Sequence, residues 1–224
     1  MKIGIFTAMQ KEATSFLDKA SQKVSHGAFD VYTFPLGAHQ AYLCCPPTVG
    51  EIAAAAACQM LISEYRVDVI LNFGVVGALT EKISVAKTVL VSSVVHYAMD
   101  TQAADGCPVG RYACFDDVAV PCDESLISLA LQVENSPVVR CASADVFVGD
   151  PVDKSALNAN FGAEICDMES AGVLFACKFN KIPCLLVKCV SDSLTGGYGE
   201  YQENVHNAAR GFFAFAEKLA RVLH

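Results

Sequence analysis

No tryptophan occurs in this chain, no two cysteines are spaced CxxC, and no serine sits in a GxSxG elbow. No apolar run approaches the roughly 18 residues that a membrane span needs. These gaps remove a paired-cysteine motif, a hydrolase-type nucleophile and a transmembrane helix from consideration. Charge is also scarce, at 18% of residues, and positive charge scarcer still: 16 Lys and Arg against 24 Asp and Glu give −8 at pH 7 and a pI near 5.0. That balance argues against a nucleic-acid backbone or an anionic membrane surface as partner, since both call for a surplus of Lys and Arg. What is abundant is apolar, 53% of the chain, far too much for an intrinsically disordered protein. At 224 residues and 23.8 kDa the expectation is one domain spanning 1–224, with a core large enough to need no disulfide staples.

Eleven cysteines, an odd number, run from Cys44 to Cys189, mostly inside apolar stretches such as AYLCC and CLLVKCV. The opening MKIGIFTAMQKEA has no secretory pattern, so the expectation is a reduced cytoplasm in which these thiols pack as small hydrophobes.

Strand and helix patterns alternate along the chain. Lys2–Phe6 reads as a buried strand and Thr7–Asp18 as a helix; Val31–Phe34 and Gln40–Cys44 read as a hairpin turned at Leu36-Gly37-Ala38-His39. Glu51–Tyr65 is a helix with a thin alanine face, and strand Val67–Phe73 ends in an expected glycine turn, Gly74-Val75-Val76-Gly77. Strand Thr88–Val95, a loop at Asp105–Arg111, helix Glu124–Val133 and strands Val138–Ala142 and Ala163–Asp167 follow. Helix Ser170–Phe179, strand Cys184–Val190 and a long helix from about Glu203 to Leu223, striped by Ala208, Phe212, Phe215, Leu219 and Val222, complete the pattern. Apolar strands alternating with helices predict an α/β fold, three layers α/β/α around a mostly parallel mixed sheet.

Ligands of such sheets bind beyond the carboxyl ends of the strands. That directs attention to Ala8–Glu12, Asn72–Gly77, Cys166–Glu169 and Val190–Ser193, three of which carry a carboxylate. Read alone, Glu12 fits a solvated first-turn residue favoured by the helix dipole. Glu169, between a strand and an apolar helix, fits function as readily as structure, because a buried charge must be paired or used. Asp192 fits an N-cap or Asx turn. The glycine turn lacks both the dinucleotide fingerprint and the Lys-Ser/Thr of a phosphate loop; it offers backbone N–H groups at close range. The five histidines, 26, 39, 96, 206 and 224, are isolated, so neither a metal nor a cofactor is expected.

Taken in order, MKIGIFTAMQKEA, VDVILNFGVVGAL, SADVF, DMESAG and VSDS resemble the nucleoside phosphorylase and nucleosidase superfamily, and within it the bacterial 5′-methylthioadenosine/S-adenosylhomocysteine nucleosidases. The resemblance covers nearly the whole chain. It implies hydrolysis of the N-glycosidic bond of an adenine nucleoside through an oxocarbenium-like ribosyl cation, by a homodimer. Asp192 then matches the acid that assists adenine N7, Glu12 the carboxylate that activates water, and Glu169 with Met168 the pair beneath the ribose. Phe147 and Val148 match the segment that stacks on the base and bonds its edge. Met9 and Val49 match apolar contacts to sugar and base, and Ser191 a support for Asp192.

Phosphorylases of the superfamily carry a Gly-Asp-Pro and Arg phosphate site near the N-terminus, where this chain has Ala8-Met9-Gln10-Lys11-Glu12. Water is therefore the expected nucleophile, with Lys11 as a single possible phosphate contact. Two departures fall in the substrate-binding set: Lys188 stands where the nucleosidases have an Arg near the ribose, and Val75 where they have a small hydroxyl residue. Thr101–Val109 is shorter than its counterpart and lacks the aromatic residue that reaches the neighbouring subunit's pocket. The alternatives are a phosphate-dependent purine nucleoside phosphorylase and a non-catalytic nucleoside-binding relative; retention of all three carboxylates weighs against the second.

Overall fold

The longest apolar runs become the innermost strands. The computed structural model describes residues 1–223, apart from the side chains of Ala208 and Ala209. In chain order its elements are β1 (Lys2–Phe6), α1 (Gln10–Leu17), β2 (Gln22–His26), β3 (Phe29–Leu36), β4 (His39–Cys45), α2 (Glu51–Met60), β5 (Val69–Ala78), β6 (Thr88–His96) and α3 (Gln102–Asp105). They continue as β7 (Val120–Pro121), α4 (Glu124–Val133), β8 (Val138–Ser143), α5 (Pro151–Phe161), β9 (Ile165–Asp167), α6 (Ser170–Asn180), β10 (Cys184–Asp192), α7 (Tyr198–Ala209) and α8 (Phe212–Ala220). A π-helical turn, Leu61–Tyr65, prolongs α2. No helix among the described residues is long and apolar enough to cross a membrane.

Several boundaries differ from the sequence reading for identifiable reasons. The first helix starts at Gln10 rather than Thr7, because the chain bends at Ala8 and Met9 after leaving β1, and Met9, in extended conformation, is the N-cap. The C-terminal helix is two helices, α7 and α8, separated at Arg210-Gly211, where glycine is a poor helix former. The Ala208 side chain of its expected stripe, and His224, lie outside the described residues. Strand β2 was not foreseen: it is an exposed edge strand whose polar residues carry no inward alternation. Helix α5 was not foreseen either, since only Lys154 and Leu157 of its eleven residues are buried.

The expected glycine turn is not a turn. β5 runs without interruption through Gly74–Gly77 to Ala78, paired along one edge with β10 from Ile70 to Gly77. Its other edge changes partner: Val69–Asn72 pair with β1, and Gly77–Ala78 with β9. Residues 73–76 therefore have no strand beside them on that edge. Beyond the gap, β5, β9, β8, β6 and β10 close on themselves as a ring, while β1, β4, β3 and β2 extend the sheet the other way. Five pairings are parallel and five antiparallel.

Helices α2 and α6 pack on each other over one side of the sheet; α1, α7, α8 and α4 form a second group on the other. This is the expected three-layer α/β/α arrangement around a mixed sheet, but the sheet is evenly mixed rather than mostly parallel, because the hairpins β2–β3–β4 and the short strands β7 and β9 add antiparallel pairings. The α2–α6 contact depends on Gly172. A Cβ there would lie 3.0 Å from the Glu51 carbonyl carbon and closer still to its oxygen. Backbone cannot yield as a side chain can, so Gly172→Ala is expected to cost about 2–3 kcal/mol through overpacking. Urea unfolding of the variant beside the parent measures it, and an unchanged midpoint would contradict this packing.

Candidate active site

The gap in the sheet is filled by side chains from the surrounding strand ends. A cavity of about 350 Å³ opens there, lined by residues following β1, within β5, following β8, around β9 and at the end of β10. Met9, Glu12, Val49, Val75, Phe147, Val148, Met168, Glu169, Ser191 and Asp192 all face it. Lys188 does not: it lies behind the wall, fully buried.

Glu12 sits where β1 hands over to α1. Its Oε2 accepts from the N-cap N–H of Met9 at 3.0 Å, and its Oε1 accepts from Val75 N at 2.9 Å. The second donor is an N–H freed by the gap in the sheet, so the break in pairing is what tethers this carboxylate. Burial pushes the Glu12 carboxyl up, against the pull of Val75 N–H and of the Lys188 charge.

Glu169 precedes α6, and its Oε1 accepts from Gly50 N at 2.9 Å. Burial, reinforced by neighbouring Asp167, pushes it up to about 8. Asp167 behaves oppositely. Burial works to raise it, but the Lys188 ammonium at 2.7 Å and the hydroxyls of Ser170 and Ser143 outweigh that and hold it below the usual carboxylate range. Lys188 is thereby committed to Asp167, beneath the cavity floor.

Asp192 ends β10. Its Oδ1 lies 2.8 Å from Ser191 Oγ, and its Oδ2 is paired with Lys154 Nζ at 2.5 Å. Gly77 makes room for it: a Cβ at that position would sit 3.0 Å from Asp192 Oδ2 and 3.3 Å from Cys166 Sγ.

Four features escaped the sequence reading. Tyr198 and Tyr201 of α7 line the cavity and meet Phe147 edge-on, with ring centroids 5.9 and 5.6 Å away; Tyr201 Oη also lies 3.3 Å from Met9 Sδ. Long-range packing brings them there, and no local signal announces it. Lys154 had one: Asp150 caps α5 by accepting from Val152 N at 2.7 Å, Pro151 starts it and Gly162 ends it in the left-handed region. That punctuation marks a helix whose buried face carries a lysine. Glu51, at the first position of α2, carries no local mark of burial in the sequence.

Glu51 is in fact buried and joined to the site through a chain of hydroxyls. Its Oε1 lies 2.5 Å from Ser143 Oγ, which lies 2.7 Å from Asp167 Oδ1, while Gly172 N donates to its other oxygen. Ser143 has one proton to give. With Asp167 ionised, that proton goes to Asp167, so Glu51 must itself donate to Ser143. Burial first, and the Asp167 charge second, push Glu51 up to about 7, in keeping with a carboxyl that holds its proton.

A cavity at the unpaired stretch of a strand ring, walled by buried acidic side chains from the strand ends, has the make-up of an active site. The chain belongs to the phosphorylase superfamily, whose family model matches residues 2–221. Within that class its sequence is 27% identical to the aminodeoxyfutalosine nucleosidase of Campylobacter jejuni, over the full length of both chains. Its fold is similar to the 5′-methylthioadenosine/S-adenosyl homocysteine nucleosidase of the same organism, at 26% identity, a TM-score of 0.92 and complete coverage of both chains. A futalosine hydrolase mutant of Helicobacter pylori, at 22% identity, superimposes with a TM-score of 0.93, again over both whole chains.

The Glu51 proton has a measurable consequence. A carboxyl near 7 in the folded state and near 4.5 unfolded adds stability that is fully present below pH 4.5 and is lost as pH rises through about 7. Glu51→Gln mimics the protonated form, its amide donating to Ser143. The variant is expected to match the parent at pH 5 and to melt several degrees higher at pH 8. Thermal melts at the two pH values check it; a variant less stable at pH 8 would show that Glu51 is needed ionised.

Proposed function

We propose that this enzyme is an N-ribosyl nucleosidase that hydrolyses the N-glycosidic bond of an adenine nucleoside such as 5′-methylthioadenosine or S-adenosylhomocysteine. The observation that carries the reading is the charge of the cavity wall. Three buried carboxylates, Glu12, Glu169 and Asp192, face one space, and no Lys or Arg among the described residues lines it. Such a wall offers acceptors to a developing sugar cation and gives a phosphate dianion no cationic partner. Lys11, the one expected phosphate contact, instead lies over the Tyr201 ring at 4.6 Å from its centre. Hydrolysis is thus preferred to phosphorolysis.

The chemistry follows from the three positions. Asp192 gives its proton to N7 of the base as the C1′–N9 bond breaks and the bonding pair leaves with the purine. The ribosyl cation forms above Glu169, which accepts the sugar hydroxyls; burial and Asp167 hold its carboxyl up at about 8, and the cation draws it back toward the ionised form. Water held by Glu12 adds to C1′ and releases a proton to that carboxylate. Net transfer of one proton from Glu12 to Asp192 through solvent restores the starting state. The base lies against Phe147, with Tyr198 and Tyr201 around it.

The 5′ group is the variable part of the reading, because the relatives act, by their names, on differently substituted nucleosides. The test is to incubate the protein with 5′-methylthioadenosine, S-adenosylhomocysteine and aminodeoxyfutalosine, with and without phosphate, and to separate free base from sugar. Release of base without phosphate is expected, as is its loss in Asp192→Asn with ligand binding retained. A strict phosphate requirement would make the enzyme a phosphorylase, and no release from any purine nucleoside would overturn both.

A second copy of the chain is the partner we infer for the α2–α6 face. Ile52 is 83% exposed and Phe179 64% exposed on an apolar groove that also includes Ala55, Tyr112 and Phe175. Exposed apolar patches of this kind mark contacts between chains. Sedimentation at twice the 23.8 kDa chain mass is expected, with Ile52→Glu shifting it to the monomer. A parent that sediments as a monomer at micromolar concentration would refute the dimer.

A further inference from the structure

Lys154 has no place in the reaction as drawn, yet it is among the largest fully buried side chains of the protein. It does not line the cavity. Its Nζ has three acceptors: Asp192 Oδ2 at 2.5 Å, Ser193 O at 2.6 Å and Gly196 O at 2.9 Å. An ammonium has three protons, so every one is committed. All three acceptors belong to the last residue of β10 and the loop that follows it.

That loop is held from its other side as well. Glu200 of α7 accepts from Ser193 N at 2.7 Å and Ser193 Oγ at 2.8 Å, and Gly196 N donates to Ser193 Oγ at 3.0 Å. Lys154 in turn stands on α5, whose cap Asp150 comes two residues after Val148 of the cavity wall. One lysine therefore joins the segment that meets the base to the carboxyl that would protonate it. Asp192 has its Oδ1 on Ser191 and its Oδ2 on Lys154, which fixes its rotamer and leaves the remaining lone-pair directions for the substrate. The other ionisable group beside it is Cys166 of β9, a thiol that burial pushes up to about 12 and which stays neutral.

Stability alone is a poor reason for such a lysine. Withdrawing an ammonium from water costs several kcal/mol, and an apolar side chain of the same volume fills the same space without that penalty. The charge gains a further use if the carboxyl opposite it changes charge during the reaction. When Asp192 parts with its proton, a carboxylate is left in a dry site; the ammonium at 2.5 Å is the group that offsets it.

We propose that Lys154 is a positioning residue for catalysis, aiming the Asp192 carboxyl at the base and stabilising the carboxylate that remains when the base departs. This rests on the nucleosidase reading and on Asp192 as its acid. The contribution belongs to the bond-breaking step, so it appears in kcat and hardly in KM.

The experiment measures kcat and KM on the best adenine nucleoside for the parent, Lys154→Met, Lys154→Gln and Lys154→Arg, with a melting curve for each. Gln keeps donors for the Ser193 and Gly196 carbonyls without the charge, and it carries the test if the Met variant fails to fold. Expected is a fall in kcat of about a hundredfold for both neutral variants, KM within threefold of the parent, and recovery of at least tenfold in Lys154→Arg. A neutral variant with kcat within threefold of the parent would overturn the proposal. So would a rise in KM that matches the fall in kcat, or an Arg variant no faster than the Met one. Failure of the underlying reading looks different: the parent then releases no base, or Asp192→Asn turns over at a near-normal rate.

Discussion

The Lys188 ammonium is the constraint on which the site depends. It is buried among Glu12, Asp167 and Glu169, and its charge favours the ionised form of each, although it touches only Asp167. One cation cannot neutralise three carboxylates, and Glu51 brings a fourth through Ser143. The surplus is met in two ways. Some carboxyls hold protons, as the upward displacement of Glu51 and Glu169 indicates. Backbone N–H groups also hold them: Val75 and Met9 on Glu12, Gly50 on Glu169, Gly172 on Glu51. The backbone must therefore present free donors at these points, and the sheet supplies one of them by leaving β5 unpaired between β1 and β9.

This arrangement explains how lysine can occupy a position where the resembled nucleosidases have arginine. A guanidinium could span two carboxylates with its planar fork, whereas an ammonium at the end of a flexible stem commits to one. Here it commits to Asp167, and the protein meets the needs of Glu169 by other means. Lys188 consequently acts on the cavity through its field rather than through contact.

The sequence was legible wherever a residue's role is local. The apolar strands, the hairpin at Gly37-Ala38 and the acidic residues beyond β1, β9 and β10 were all apparent, because strand ends and sequence spacing determine them together. What was hidden is what depends on distant partners. Glu51 opens α2 with no local mark of the burial that α6 imposes on it. Tyr198 and Tyr201 belong to a helix remote in sequence from the Phe147 ring they meet. The stretch Gly74–Gly77 reads as a turn because it holds two glycines in four residues; in the folded chain Gly77 is small because Asp192 and Cys166 crowd it, whereas a Cβ at Gly74 would meet Lys188 and Glu12 only at ordinary contact distance.

The ring of strands has one more effect, on how the protein meets other chains. The ring strands pair with one another except at residues 73–76 of β5, where Val75 and Val76 face the cavity, so the open margin of the long arm of the sheet falls on β2. That strand, QKVSH, is exposed almost throughout and carries Lys23 paired with Asp30 at 2.7 Å. A lysine on an edge strand discourages a foreign strand from docking there. A chain this rich in apolar residues and thiols thus keeps its principal unpaired sheet edge polar and charged, which favours solubility over edge-to-edge association.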